Sequence, residues 1–133
     1  MDGISAAQVR IARPTDNLTA VTDFYHLALG MPIIGSFNEH DGYDGIMLGI
    51  KGANIHLEFT QHADGSPCPA PSLDNLLVLY YATQAEFDSA VTLIESYGHK
   101  PVAPENEYWL DKGLTYEDPD GWRVVLFNGL YSN

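Results

Sequence analysis

"YEDPDGWRVVLF", residues 116–127, reads as two strands joined by a tight turn. Asp118-Pro119-Asp120-Gly121 carries the turn chemistry, because proline pre-sets φ at the second turn position and glycine supplies positive φ where it is required. Working upstream, "GLTYED" (113–118) is the first arm of this pair and "HKPV" (99–102) is a short strand candidate before it. Further back, "NLLVLYYA" (75–82) is a strand, and Thr83-Gln84-Ala85-Glu86 has the form of a helix capping box. Phe87, Ala90, Val91, Ile94 and Tyr97 then recur at helical spacing up to a glycine stop at Gly98. The second half of the chain is therefore strand, helix and three strands.

The first half has the same order. "QVRIAR" (8–13) alternates around Val9 and Ile11 as a half-buried strand should, and Pro14 ends it. Leu18, Val21, Phe24, Tyr25, Ala28 and Leu29 make an amphipathic helix, with Asp16 and Asn17 as caps and Gly30 as its stop. "PIIGSF" (32–37), "DGIMLGI" (44–50) and "ANIHLEFT" (53–60) are strands, the last two joined at Lys51-Gly52. "ADGSPCPAPS" (63–72) holds three prolines and no periodicity, which marks a linker. The expectation is one α+β domain made of two tandem βαβββ modules, residues 8–60 and 75–128, with residues 61–74 between them.

Charge and composition narrow the function. Six Lys plus Arg against eighteen Asp plus Glu give a net charge of -12, which repels phosphate backbones and anionic headgroups. Nucleic acid and membrane partners are not expected. With Cys68 as the single cysteine, neither an internal disulfide nor a four-thiolate zinc site can form. The N-terminus has no basic region followed by an apolar core and no run reaches the length of a membrane span, so a cytoplasmic location is expected. No phosphate-binding glycine loop, HExxH helix or paired CxxC occurs.

Four stretches, "NLTAVTDFYHLALGMP", "IHLEFTQH", the glycine-stopped second helix and "YEDPDGWRVVLF", make the chain resemble the vicinal oxygen chelate superfamily, the group of glyoxalase I, bleomycin-resistance proteins and extradiol dioxygenases. The resemblance implies cupped mixed sheets and a homodimer. In metal-dependent members it also implies four inward-facing positions that supply His, Glu or Gln to one divalent ion. Carried onto this sequence they fall on Arg10, on Glu58 or His56 with the same facing, about Leu77, and Val125. Three of the four are wrong for a metal, since Arg keeps its proton and Leu and Val have no lone pair to give. His56 and Glu58 could still ligate, with His40, His62 or Asp44 as a third donor.

The expectation is thus a protein without the usual metal cofactor, in which Arg10 pairs with Glu58 and His56 stands beside them as a proton carrier. Leu77, Leu79, Tyr81, Arg123, Val125 and Phe127 are expected to line the rest of the cup, with Tyr108 and Trp109 of "ENEYWLDKG" (105–113) as a lid. Leu57 and Phe59 should face the helix layer. The partner is a small organic ligand, and sequestration or resistance is the leading role. The alternative is a divalent-metal-dependent lyase, isomerase or dioxygenase using His56 and Glu58.

Overall fold

The computed structural model describes residues 6–132. Its elements in chain order are β1 (Val9–Pro14), α1 (Leu18–Thr22), a wider π-helical turn (Asp23–Ala28), β2 (Ile33–His40), β3 (Tyr43–Gly49) and β4 (Ile55–His62). There follow β5 (Leu76–Tyr81), α2 (Gln84–Ser96), one 3₁₀ turn (Glu107–Trp109), β6 (Gly113–Glu117) and β7 (Arg123–Asn128). Contacts divide these into two units: one runs to His26 and resumes over Met31–Cys68, and the other takes Leu27–Gly30 and continues from Pro69. Among the described residues, no helix is long and apolar enough to cross a membrane.

The first unit is a four-stranded sheet in the order β1-β4-β3-β2, with β1 parallel to β4 and the other pairs antiparallel. Ile46 lies opposite Phe59 and Leu48 opposite Leu57, so these four buried side chains share one face. Tyr25 covers that face, its ring centroid 4.8 Å from that of Phe59. The helical segment starts where the sequence indicates: the Asn17 side chain accepts from Ala20 N, and Gln61 of β4 accepts from Leu18 N while donating to Asp16 O. Those bonds satisfy N–H groups that a helix start leaves unpaired.

Several expected elements differ. The helix expected over 17–30 is α-helical only to Thr22 and then widens into the π-turn, which closes through Met31 N donating to Tyr25 O, with Gly30 at positive φ as its stop. β2 extends to His40 rather than stopping at 37, because Asp41 and Gly42 both take positive φ and form a two-residue hairpin turn into β3. β4 begins at Ile55, two residues later than expected, and runs to His62, into the expected linker. "HKPV" forms no strand. Val102 makes only an isolated bridge to Thr115, since Pro101 has no N–H with which to extend a ladder.

The second unit is consequently a three-stranded sheet, β5-β7-β6, with β5 parallel and β6 antiparallel to β7. The turn between β6 and β7 forms as read: Asp118 Oδ1 accepts from the N–H groups of Asp120 and Trp122, and Gly121 has φ of 88°. The capping box also closes, Thr83 Oγ1 accepting from Glu86 N at 3.2 Å. Helix α2 covers the face that carries Tyr81, Tyr116 and Asn128. Tyr81 meets the Phe87 ring, Tyr116 Oη donates to Glu95 Oε2 at 2.8 Å, and Asn128 donates to Gln84.

Burial, then the bond to Glu95, push the Tyr116 hydroxyl well above the ordinary tyrosine value of 10.0, and burial raises Tyr81 as well. A raised folded-state pKa stabilises the native protein below the unfolded value and is lost as pH rises through it. Tyr116→Phe should therefore lower stability at neutral pH by about 1 kcal/mol, the typical net worth of one hydrogen bond. Urea denaturation should show that deficit shrinking above pH 10, where wild type loses the contribution that the variant never had.

Candidate functional site

The other face of the first sheet is polar at its centre. In the parallel β1–β4 register Arg10 lies opposite His56 and Ala12 opposite Glu58; across β4, Gly49 lies opposite His56 and Met47 opposite Glu58. Because alternate residues of a strand share a face, Arg10, His56 and Glu58 stand together. Arg10 Nε donates to His56 Nε2 at 2.8 Å, and Arg10 Nη1 is 3.5 Å from Glu58 Oε2. The arginine reaches the glutamate diagonally, over the short Ala12 side chain that faces Glu58.

The bond to His56 has a chemical consequence. A guanidinium has five N–H donors and no acceptor, so the nitrogen it meets must hold a lone pair. His56 is then neutral, with its proton on Nδ1, and its Nε2 lone pair is occupied by a donor. The three groups differ in accessibility: His56 is 7% exposed, the Glu58 side chain 15%, and the Arg10 side chain 49%. Arg10 is the member of the set that an incoming molecule meets first.

The floor beside them is built by residues that the sequence did not single out. A Cβ at Gly45 would fall within 2.2–2.9 Å of the Phe37 ring, and one at Gly35 would fall 2.8 Å from Met47 Cε. Glycine at both positions lets Phe37 and Met47 lie flat across neighbouring strands. The signal was present in "DGIMLGI", where glycine and methionine alternate on one face while isoleucine and leucine occupy the other.

The third donors considered for a metal lie elsewhere. Asp44 pairs with Gln61 and so faces away from Glu58; its Oδ1 accepts from Glu39 N. His62 shares the facing of Glu58 but sits four residues further along β4, about 13 Å at the rise of a strand. Its Nδ1 accepts from Asp64 N, and its ring meets Tyr43. His40 is an exposed neighbour of Asp41 at the hairpin. Among the described residues, no three His, Cys, Asp or Glu side chains group as ligands of a metal ion. The superfamily's centre draws on four inward-facing positions, and the donor set here, His56 and Glu58 with no third donor near them, does not match it.

In the second unit the register corrects the expected facing of β5. Val78 pairs with Val125, while Leu77 pairs with Val124, Leu79 with Leu126 and Tyr81 with Asn128. Leu77, Leu79 and Tyr81 therefore belong to the helix side, and Leu76, Val78 and Tyr80 share the opposite face with Arg123, Val125 and Phe127. An uninterrupted apolar run such as "LLVLYY" carries no alternation from which to read its facing. Arg123 is 8% exposed, its Nε donating to Glu117 Oε2 at 3.2 Å and its Nη1 to Ala103 O at 2.9 Å, so it fastens the segment after Val102 to the sheet. Tyr108 and Trp109 form the 3₁₀ turn, and Trp109 packs edge-to-face on Phe127 at 5.8 Å.

Residues 9–60 match the YycE-like N-terminal domain and residues 74–128 the YycE-like C-terminal domain. The chain belongs to the YycE-like family. It is 46% identical over 123 residues to the YycE protein of Bacillus subtilis, spanning 92% of this chain and 88% of that protein. A crystal structure of a YycE protein from B. subtilis, of unknown function, superposes with a TM-score of 0.89 at 44% identity, over 96% of this chain and 93% of that one. Two more distant structures share the fold. TnmS3, an antibiotic binding protein from Streptomyces sp. CB03234, has a TM-score of 0.67 at 20% identity, over 98% of this chain and all (100%) of that one. The glyoxalase I of Leishmania major has 0.70 at 16% identity, over 93% and 87%. The chain thus has the α+β fold of the vicinal oxygen chelate superfamily and sits in a bacterial branch of it.

The two arginines should respond differently to removal. Arg123→Met breaks a buried, doubly bonded cation and should lower unfolding free energy by about 2–4 kcal/mol, part of the full penalty being relieved because Glu117 is partly exposed. Arg10→Met disturbs a half-exposed pair and should cost about 1 kcal/mol or less. Chemical denaturation of both variants measures the difference.

Proposed function

We propose that this protein binds a small organic ligand on the Arg10-His56-Glu58 face of its first unit, without the superfamily's metal centre. The observation that carries the reading is the Arg10 Nε to His56 Nε2 hydrogen bond, which commits the imidazole lone pair to a guanidinium. Arg10 stands in the electropositive role that an ion fills in metal-dependent relatives. Its half-exposed guanidinium can hold an acceptor group of the ligand, and Glu58 beside it can take a donor. Phe37 and Met47 give the flanking surface an apolar character suited to a carbon framework. TnmS3 is an antibiotic binding protein with the same fold, and sequestration or resistance is the role that such a site would serve here.

A second reading keeps chemistry at the same place. His56 and Glu58 share a face two residues apart, as two ligands on one strand would. On that reading the protein is a divalent-metal-dependent lyase, isomerase or dioxygenase.

A thermal-shift screen against metabolites and antibiotics, paired with elemental analysis, separates the two. Binding predicts a melting temperature that rises with ligand concentration in proportion to its logarithm above the dissociation constant, and Arg10→Leu should remove that rise while lowering the unliganded melting temperature by no more than a few degrees. One equivalent of a divalent metal in protein purified without added metal, lost in Glu58→Gln, would establish the enzyme reading instead.

A further inference from the structure

Glycine follows an aspartate or asparagine at Asp2-Gly3, Asp41-Gly42, Asp44-Gly45, Asp64-Gly65, Asp120-Gly121 and Asn128-Gly129. Such pairs can rearrange, because glycine has no Cβ to keep its nitrogen away from the carboxyl or amide carbon of the preceding side chain. Asp2-Gly3 lies outside the described residues. Among the others, we propose that Asp41 is a modification site, the position at which the folded chain closes a succinimide with Gly42 and from it forms an isoaspartate.

The step needs a free nucleophile. The Gly42 nitrogen attacks Cγ of the protonated Asp41 carboxyl; the N–Cγ bond forms, the C–OH bond breaks, and the amide proton and the hydroxyl leave as water. Water then opens the five-membered imide. Opening at the former backbone carbonyl leaves the chain running through Cβ and Cγ, with a free α-carboxylate beside it. A backbone N–H that is already donating must give up that bond before its nitrogen can attack.

Hydrogen bonding separates the candidates. Gly65 N donates to His62 O at 3.0 Å, Gly121 N to Asp118 O at 3.0 Å and Gly129 N to Tyr81 O at 2.9 Å. Asn128 is tied further, its N donating to Lys112 O at 2.8 Å and its Nδ2 to Gln84 Oε1 at 2.7 Å. Gly45 lies inside β3, paired with Phe37 on one side and Thr60 on the other, and Asp44 Oδ1 accepts from Glu39 N. Gly42 differs from all of these. It stands in the two-residue turn that the His40–Tyr43 pair closes, and among the described residues its N–H has no acceptor. Only its carbonyl is engaged, accepting from Ala63 N at 2.9 Å. The carboxyl is as accessible as the nitrogen: the Asp41 side chain is 88% exposed, and the His40 ring 3.7 Å from it is exposed too. Isoaspartate adds a methylene to the main chain of this turn, so the His40–Tyr43 pair, which depends on a turn of that length, opens.

Wild-type protein held folded at neutral pH and, in parallel, unfolded in urea tests this, with isoaspartate located by peptide mapping and by methyl transfer from S-adenosylmethionine with an isoaspartyl methyltransferase. In the folded protein isoaspartate should accumulate at Asp41 about three- to tenfold faster than at Asp64 or Asp120, the factor that one retained backbone hydrogen bond imposes. In urea the aspartates should converge and the lead should pass to Asn128, since a neutral amide is open to attack while a carboxylate must first gain a proton. Asp41→Asn keeps the turn, Asn-Gly being favoured in it, and should speed the rearrangement, now with loss of ammonia and a gain in mass. Isoaspartate arising first at Asp44, Asp64, Asp120 or Asn128 of the folded chain would overturn the proposal, as would an Asp41 that stays intact in the folded protein while it converts in urea. An Asp41→Asn variant that rearranges no faster than wild type would overturn it as well.

Discussion

The parallel pairing of β1 with β4 sets Arg10 opposite His56, and most of what this molecule can do follows from the hydrogen bond between them. Shifting β1 by one residue would turn Arg10 to the helix side and place Ile11 in its stead, because strand side chains alternate between faces. On the far side Leu57 and Phe59 lie with Ile46 and Leu48 under Tyr25, which fixes the facing of β4. Core packing thus sets His56 and Glu58 on the opposite face, and the backbone pairing of β1 brings Arg10 to them. Once there, the guanidinium fixes the imidazole's tautomer and holds a carboxylate within ion-pair distance.

The two units use arginine for opposite ends. Arg123 is buried and bonded to both a carboxylate and a backbone carbonyl, so its charge is consumed in fastening a loop to the sheet. Arg10 has the same functional group, yet half its side chain stays in water. A charge that is to meet a ligand must retain access and must not be so well satisfied that releasing it costs several kcal/mol. Exposure, more than residue type, separates the structural arginine from the functional one.

Much of the fold was legible in the sequence, and the legible parts are those determined by neighbours along the chain. The Asp118–Gly121 turn, the Thr83–Glu86 box, the Asn17 cap and the glycine stops each depend on a few consecutive residues, and each forms. The facing of Glu58 and His56 was legible because "IHLEFTQH" alternates. What the sequence hid was decided at long range. The facing of Leu77, Leu79 and Tyr81 depends on pairing with β7, and an all-apolar strand offers no clue to it. The widened turn at Asp23–Ala28 has no local signature, and the Asp41-Gly42 hairpin was masked by the polar residues around it. At the site, Arg10 and Glu58 were found through the family resemblance, whereas the roles of Gly35 and Gly45 under Met47 and Phe37 required coordinates.

The central claim is that His56 Nε2 is held by Arg10 as a lone-pair acceptor, and nitrogen NMR of the imidazole reads this directly. At neutral pH the account predicts a protonated Nδ1 and an unprotonated Nε2 for His56, a preference that weakens in Arg10→Leu. A proton resident on Nε2 in the wild-type protein, or a metal-shifted Nε2 resonance, would contradict it.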